Sequence, residues 1–232
     1  MLGIIVQLLI SWLLLWIIEK KHLSALGLTP TAGRMRDLLS GLLASLRICA
    51  LYNFATTLFV NNRWIWNPEF TSAMLLNSTW WNLKSVLYEE LIFRGALLFI
   101  AMRKLGEVKA CLLSAACFGT YHWFSFSLFG NPVQMVFIFL MTGIAGLAFA
   151  FAFSKTESLY LPVGLHLGWN LCTNIVFSNG PMGQQLFIKE NENKQEGVLS
   201  LMIFLFQVVA LPLITYGYLK LRSNRRSSPG SW

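Results

Sequence analysis

Charge is what this chain has least of. Asp, Glu, Lys and Arg make up only 12% of its 232 residues, ten of them acidic, and there are three histidines. A soluble domain carries roughly 25% charged residues, so a mostly water-facing fold is excluded. Cysteine is sparse as well. Cys49, Cys111, Cys117 and Cys172 all lie in apolar runs, with no CxxC spacing and no secreted framework, and read as small buried packing residues. There is no internal repeat, and no low-complexity segment beyond a short polar tail. The net charge of +8 comes from short basic clusters between apolar runs, without a basic stripe and interleaved aromatics. Nucleic acid is therefore not an expected partner.

Hydrocarbon is abundant. Hydrophobic residues make up 56% of the chain and the mean hydropathy is +0.58. A helix that crosses a bilayer core needs about 20 apolar residues. Seven runs qualify, near Leu2–Ile18, Leu38–Val60, Trp80–Ala101, Ala110–Phe129, Pro132–Phe153, Leu159–Phe177 and Val198–Tyr218. The expected fold is an all-α polytopic transmembrane bundle of about seven membrane-spanning helices. A single integral-membrane domain is expected over 1–222, with a motif-bearing core at about 79–178 and a polar basic cytoplasmic tail at 223–232. The fourth and fifth runs are separated only by Gly130 and Asn131, which predicts a tight hairpin.

The first run is fully apolar, has no basic residue before it and ends in Glu19-Lys20-Lys21, not in a small-residue cleavage site. It reads as a retained anchor and not as a signal peptide. With seven spans, twelve basic loop residues fall on one side: Lys20, Lys21, Arg34, Arg36, Arg103, Lys104, Lys109, Lys155, Lys220, Arg222, Arg225 and Arg226. Four fall on the other: Arg63, Lys84, Lys189 and Lys194. The positive-inside bias then puts the N-terminus outside and the C-terminus in the cytoplasm. Thr142, Gly146 and Ala150 supply a small-residue stripe for close helix approach, and the tryptophan-rich segment 61–81 is expected at the outer interface.

Within these runs lie polar groups that lipid disfavours by about 2.5–3.5 kcal/mol each at mid-helix. Glu90 and Arg94 are four apart with the acid first, the favourable order for an ion pair on one helix face. Glu89 is rotated by about 100° from Glu90 and has no local partner. Phe118 and His122 stand four apart in the fourth run, and His166 and Asn170 four apart in the sixth. At 1.5 Å per residue, Glu89 lies roughly 20 Å inward from Arg103, His122 roughly 20 Å from Lys109, and Asn170 roughly 20 Å from Glu157. The expectation is one polar pocket at one depth. Asp37 and Arg47 of the second run could snorkel or pair; His22, in a loop, is given no role.

The series EExxxR (Glu89, Glu90, Arg94), FxxxH (Phe118, His122) and HxxxN (His166, Asn170) resembles the CAAX prenyl endopeptidase and Abi family of intramembrane proteases, abbreviated CPBP. The order and spacing match over about 90 residues. The resemblance implies a glutamate-dependent peptide hydrolase acting inside the bilayer. Glu89 would be the general base, His122 would position or polarise the water, and His166 and Asn170 would stabilise the oxyanion. Glu90, Arg94 and Phe118 would support the site. Peptide hydrolysis requires these same functions: a base, a water, and donors aimed at the developing oxyanion.

No cofactor is required by that scheme, although Glu89, His122 and His166 could serve as a three-ligand zinc set; no HExxH is present. The expected partners are the lipid bilayer and a membrane-associated peptide or protein substrate. The expected location is a bacterial inner membrane. Two other classes remain open: a non-catalytic membrane partner (bacteriocin-immunity-like or scaffold), and a proton-coupled transporter, which the missing inverted repeat disfavours.

Overall fold

A computed structural model of the chain describes residues 2–177, 181–191, 193 and 196–227. It is a helical bundle in eight α-helices: α1 (Leu2–Leu14), α2 (Ala32–Val60), α3 (Ser72–Phe93), α4 (Ala96–Leu105), α5 (Glu107–Ser125), α6 (Pro132–Thr156), α7 (Tyr160–Leu171) and α8 (Gly197–Ser227). π-helical turns extend α1 through Leu15–Glu19 and α7 through Cys172–Val176. Helix starts follow local chemistry. Thr31 and Thr71 accept hydrogen bonds from the backbone N–H groups of Arg34 and Met74, and Asn131 caps α6 ahead of Pro132, a residue whose missing N–H costs nothing at a helix start.

The bundle is inverted relative to a soluble domain. Leu2, Leu58 and Val198 are more than 70% exposed, while Asp37, Glu90, Arg94 and His166 are buried. Among the described residues, four helical segments are long and apolar enough to cross a membrane: α1 with its π turn, α2, α6 and α8. The motif-bearing helices α3, α5 and α7 fall short because they are more polar or shorter. The chain is thus an integral membrane protein of the all-α class.

Two expectations change. The third apolar run is not one helix. It breaks at Arg94–Gly95, where Arg94 turns inward, and a side chain on Gly95 would meet the Leu91 carbonyl oxygen at 2.1 Å. Lys84, counted as a loop residue, lies inside α3. Helix α8 continues to Ser227, into the residues expected as a polar basic tail; residues 228–232 and Lys194 lie outside the described residues. The hairpin between α5 and α6 forms, with a six-residue link in which Ser127 and Gly130 take positive φ. Trp64–Trp66 pairs antiparallel with Phe187–Lys189 as a short ribbon, β1 and β2.

Two packing seams position the site. Along α2 and α7, a side chain on Gly164 would come within 2.2 Å of the Leu38 carbonyl oxygen, and one on Gly168 within 2.2 Å of Ser45 Oγ. Leu38 thus meets Gly164, Ser45 meets Gly168 and Cys49 meets Thr173, so the two helices run parallel with their backbones nearly touching. Between α5 and α6, Gly119 and Gly143 leave the corresponding space. Of the small-residue stripe on α6, Gly146 faces Phe118 and Arg94 and Ala150 is fully buried.

Paired charges group the helix ends. Glu19, at the end of α1, lies 3.6 Å from Arg103 and 3.9 Å from Lys104 at the end of α4. Glu107, starting α5, binds Lys155, ending α6, at 2.7 Å. Arg222 of α8 binds Asp37 of α2 at 3.1 Å, and Tyr218 donates to the same carboxylate at 2.7 Å. Asp37 therefore pairs; Arg47 is exposed.

Candidate active site

The site is built where α3 crosses α7, with α5 and α6 behind. Glu90 and Arg94 are both fully buried, and Arg94 Nη1 donates to Glu90 Oε1 at 3.0 Å. Arg94 Nη2 donates to the Gly146 carbonyl at 3.1 Å, and the guanidinium sits 4.1 Å from the Phe118 ring centroid. Gly146 makes this possible, because a Cβ there would lie 2.9 Å from Arg94 Nη2.

Glu90 has a second client that spacing alone did not reveal. Its Oε1 also accepts from His166 Nδ1 at 2.8 Å. A carboxylate oxygen only accepts, so Nδ1 carries the proton and Nε2 points away from Glu90. That Nε2 faces Glu89, with Glu89 Oε2 3.9 Å distant. The His166 ring stacks on Phe149 at 5.0 Å between centroids and meets Phe118 edge-on at 5.9 Å.

Glu89 is the less committed acid. Its side chain is 12% exposed, Ser85 donates to its Oε1 at a long 3.4 Å, and its Oε2 has no protein hydrogen-bond partner. It lines an open cleft of about 350 Å³ bounded by Gly3 and Ile4 of α1, Trp81, Lys84, Ser85 and Tyr88 of α3, and Tyr121 of α5. His122, on α5, is buried; its Nδ1 donates to the Phe118 carbonyl at 2.8 Å, which leaves Nε2 as the acceptor in the neutral ring. Phe118 stands between the two imidazoles, 4.6 Å from His122 by ring centroids. Asn170 is one turn beyond His166 on α7 and half-buried, and its amide has no hydrogen-bond partner among the described residues.

Among the described residues no three His, Cys, Asp or Glu side chains are grouped as a metal centre requires. Glu89, His122 and His166 are not brought together as such a group in this structure.

Sequence reasoning also missed the polar ladder that continues the site along α3 and α7. Asn174 donates to Asn82 Oδ1 at 2.6 Å, and Ser78 donates to Gln185 at 3.0 Å. Ser78, Asn82 and Glu89 recur at helical spacing, as do His166, Asn170 and Asn174, and that periodicity was the available signal. The π turn at Cys172–Val176 carries Asn174; such turns are frequent at functional sites.

No curated protein and no solved structure matches the chain. A family model does: residues 71–172 match the family described as type II CAAX prenyl endopeptidase Rce1-like. That stretch begins at the cap of α3 and ends just past Asn170, so it contains every motif of the site. The motif-bearing core of this chain, residues 71–172, is thus similar to the Rce1-like type II CAAX prenyl endopeptidases, a family of peptide hydrolases.

Proposed function

We propose that the protein is an intramembrane endopeptidase in which Glu89 activates water against a peptide bond of a membrane-associated or lipid-anchored substrate. One observation carries this reading: the two adjacent glutamates are used differently. Each keeps one carboxylate oxygen without a hydrogen-bond partner, but Glu90 is fully buried with its Oε1 spent on Arg94 and His166, whereas Glu89 is partly exposed, makes only a long hydrogen bond to Ser85 and borders an open cleft.

The chemistry follows from those contacts. A water at the apex above Glu89 Oε2 and His166 Nε2, which are 3.9 Å apart, reaches both at ordinary hydrogen-bond lengths. Glu89 takes a proton from this water as its oxygen bonds to the substrate carbonyl carbon. His122, held through Nδ1, presents Nε2 to orient the water. The tetrahedral oxyanion is met by the Asn170 amide, whose N–H groups have no competing hydrogen bond among the described residues, and by His166 when its Nε2 is protonated. The carboxylic acid of Glu89 then returns the proton to the leaving nitrogen as the C–N bond breaks. Glu90 and Arg94 touch no substrate in this scheme; they hold the His166 ring.

The grouping of helix ends supports an N-terminus outside and a C-terminus in the cytoplasm, because Arg103, Lys104, Lys155 and Arg222 all lie at paired ends expected on the basic side. The test is cleavage of a lipidated fluorogenic peptide by the purified chain in vesicles. Glu89→Gln is expected to lower turnover by about 10²–10⁴-fold without shifting the unfolding midpoint. Turnover retained in this variant refutes the proposal.

A further inference from the structure

Arg47 has no part in the site above, and its surroundings are at odds with its charge. It lies on α2, one of the segments long and apolar enough to cross a membrane. The buried face of that helix carries Asp37, Gly41, Ser45 and Cys49, and it packs on α7. The opposite face carries Leu39, Leu43, Arg47, Leu51, Phe54 and Leu58, which recur at helical spacing and are all exposed. Arg94 and Arg222 each meet a carboxylate. Arg47 meets none among the described residues, and it makes no hydrogen bond or ring contact there.

The two ends of α2 fix the depth of this charge. Near the start, Arg34, Lys155 and Arg222 share one cavity, the basic clustering expected at one membrane interface. At the other end the chain turns at Asn61 into the strand that carries Trp64 and Trp66, residues typical of an interface. Arg47 is about 22 Å of helix rise from Ala32 and about 20 Å from Val60. A hydrocarbon core is about 30 Å thick, so Arg47 stands near its middle, about 15 Å from either headgroup layer. Its stem is too short to snorkel that far, and an unpaired charge facing acyl chains is strongly disfavoured.

We propose that this face of α2 docks a transmembrane helix of another protein, one that carries Asp or Glu near its middle and pairs with Arg47. The leucines and Phe54 supply ridges for such a helix to pack against, and the ion pair sets its register. A second copy of the chain is a poor occupant. Its exposed acids among the described residues, Glu69, Glu157, Glu190 and Glu196, all lie outside the helices, and a two-fold contact would bring Arg47 towards Arg47. The inference is independent of the endopeptidase reading.

The probe is a Leu/Ala transmembrane peptide of about 23 residues, dansyl-labelled at one end, with Glu, Lys or Leu at its centre. Energy transfer from the tryptophans of the full chain, in phosphatidylcholine vesicles, reads association. The Glu peptide is expected to associate about tenfold more tightly than the Leu peptide, and the Lys peptide no more tightly than Leu. Arg47→Leu should bring the Glu-to-Leu ratio to about one, Arg47→Lys should keep it, and Arg47→Glu should transfer the preference to the Lys peptide. Because Arg47 makes no contact within the fold, Arg47→Leu is expected to insert and to keep the wild-type unfolding midpoint. Equal association of the Glu and Leu peptides with the wild type overturns the inference, as does a Glu preference that survives in Arg47→Leu. Energy transfer between differently labelled copies of the chain that Arg47→Leu alters, with no peptide preference, assigns the face to a second copy and overturns it. So does a midpoint raised by phosphatidylglycerol in the wild type and not in Arg47→Leu, again with no peptide preference, which assigns the face to lipid.

Discussion

Removing the Glu90 carboxylate should destabilise this protein more than any surface change, and the loss should be recoverable without recovering activity. In Glu90→Ala, Arg94 stays fully buried without its counter-ion, and His166 Nδ1 loses its acceptor. Two unit charges 3.0 Å apart attract by about 5–6 kcal/mol at an effective dielectric constant of 20. Breaking one partner of a buried pair typically costs about 3–5 kcal/mol. For a chain of this length each kcal/mol moves the midpoint by about 2–4 °C, so the expected fall is about 6–20 °C. The double variant Glu90→Leu/Arg94→Met removes both charges, and apolar replacement of a buried pair is often neutral or better. Most of the midpoint should return. Peptide turnover should not, because His166 remains without the carboxylate that fixes its ring. Thermal unfolding in vesicles followed by tryptophan fluorescence, with turnover measured on the same samples, reads both. A single variant as stable as wild type, or a double variant that regains turnover, refutes the account of Glu90 as the anchor of both Arg94 and His166.

Two further outcomes follow from the packing and the charged ends. Gly168→Ala drives a methyl against Ser45 Oγ and the Leu42 carbonyl at 2.2 and 2.3 Å; overpacking of this kind costs about 1–3 kcal/mol, and because the residue lies between His166 and Asn170, kcat should fall together with the midpoint. Lys155 and Ser154 hydrogen-bond the Glu107 carboxyl and hold it below the usual carboxylate range; its contribution is present above that range and is lost as pH falls through the lowered value, so Glu107→Gln should flatten the acid limb of a midpoint-against-pH profile while leaving its neutral limb in place.

Much of the site could be read before any coordinates. Glu90 and Arg94 stand four apart, so their pairing is local and helix geometry is enough to find it. The rotation that separates Glu89 from Glu90 also separates an acid bordering the cleft from a buried one. What spacing could not supply was contact between distant segments: the bond from Glu90 to His166 joins residues 76 positions apart, and it turns a simple counter-ion into the holder of an imidazole. The break after Arg94 was hidden because Gly95 interrupts a run whose hydropathy never drops, and only the crowding at Leu91 reveals why glycine stands there. Lys84 was misread for a related reason. A cation in an apolar run resembles a boundary, yet Thr71 starts the helix thirteen residues earlier. The short β-ribbon escaped notice because each strand is three residues long and its partner lies more than a hundred positions away.

The contact between α2 and α7 bears on how a bulky polypeptide reaches the catalytic centre. Where main chains touch through glycine, neither rod can tilt or slide without colliding, so that flank behaves as a fixed jaw. Helix α1 is the opposite case: of its own residues only Ser11 is buried, and it meets α3 through Gly3 against the Tyr88 side chain and not against main chain. Gly3 and Ile4 bound the cleft beside Glu89, so a crosslink pinning α1 to α3 is expected to stop peptide turnover while leaving the reactive groups in place.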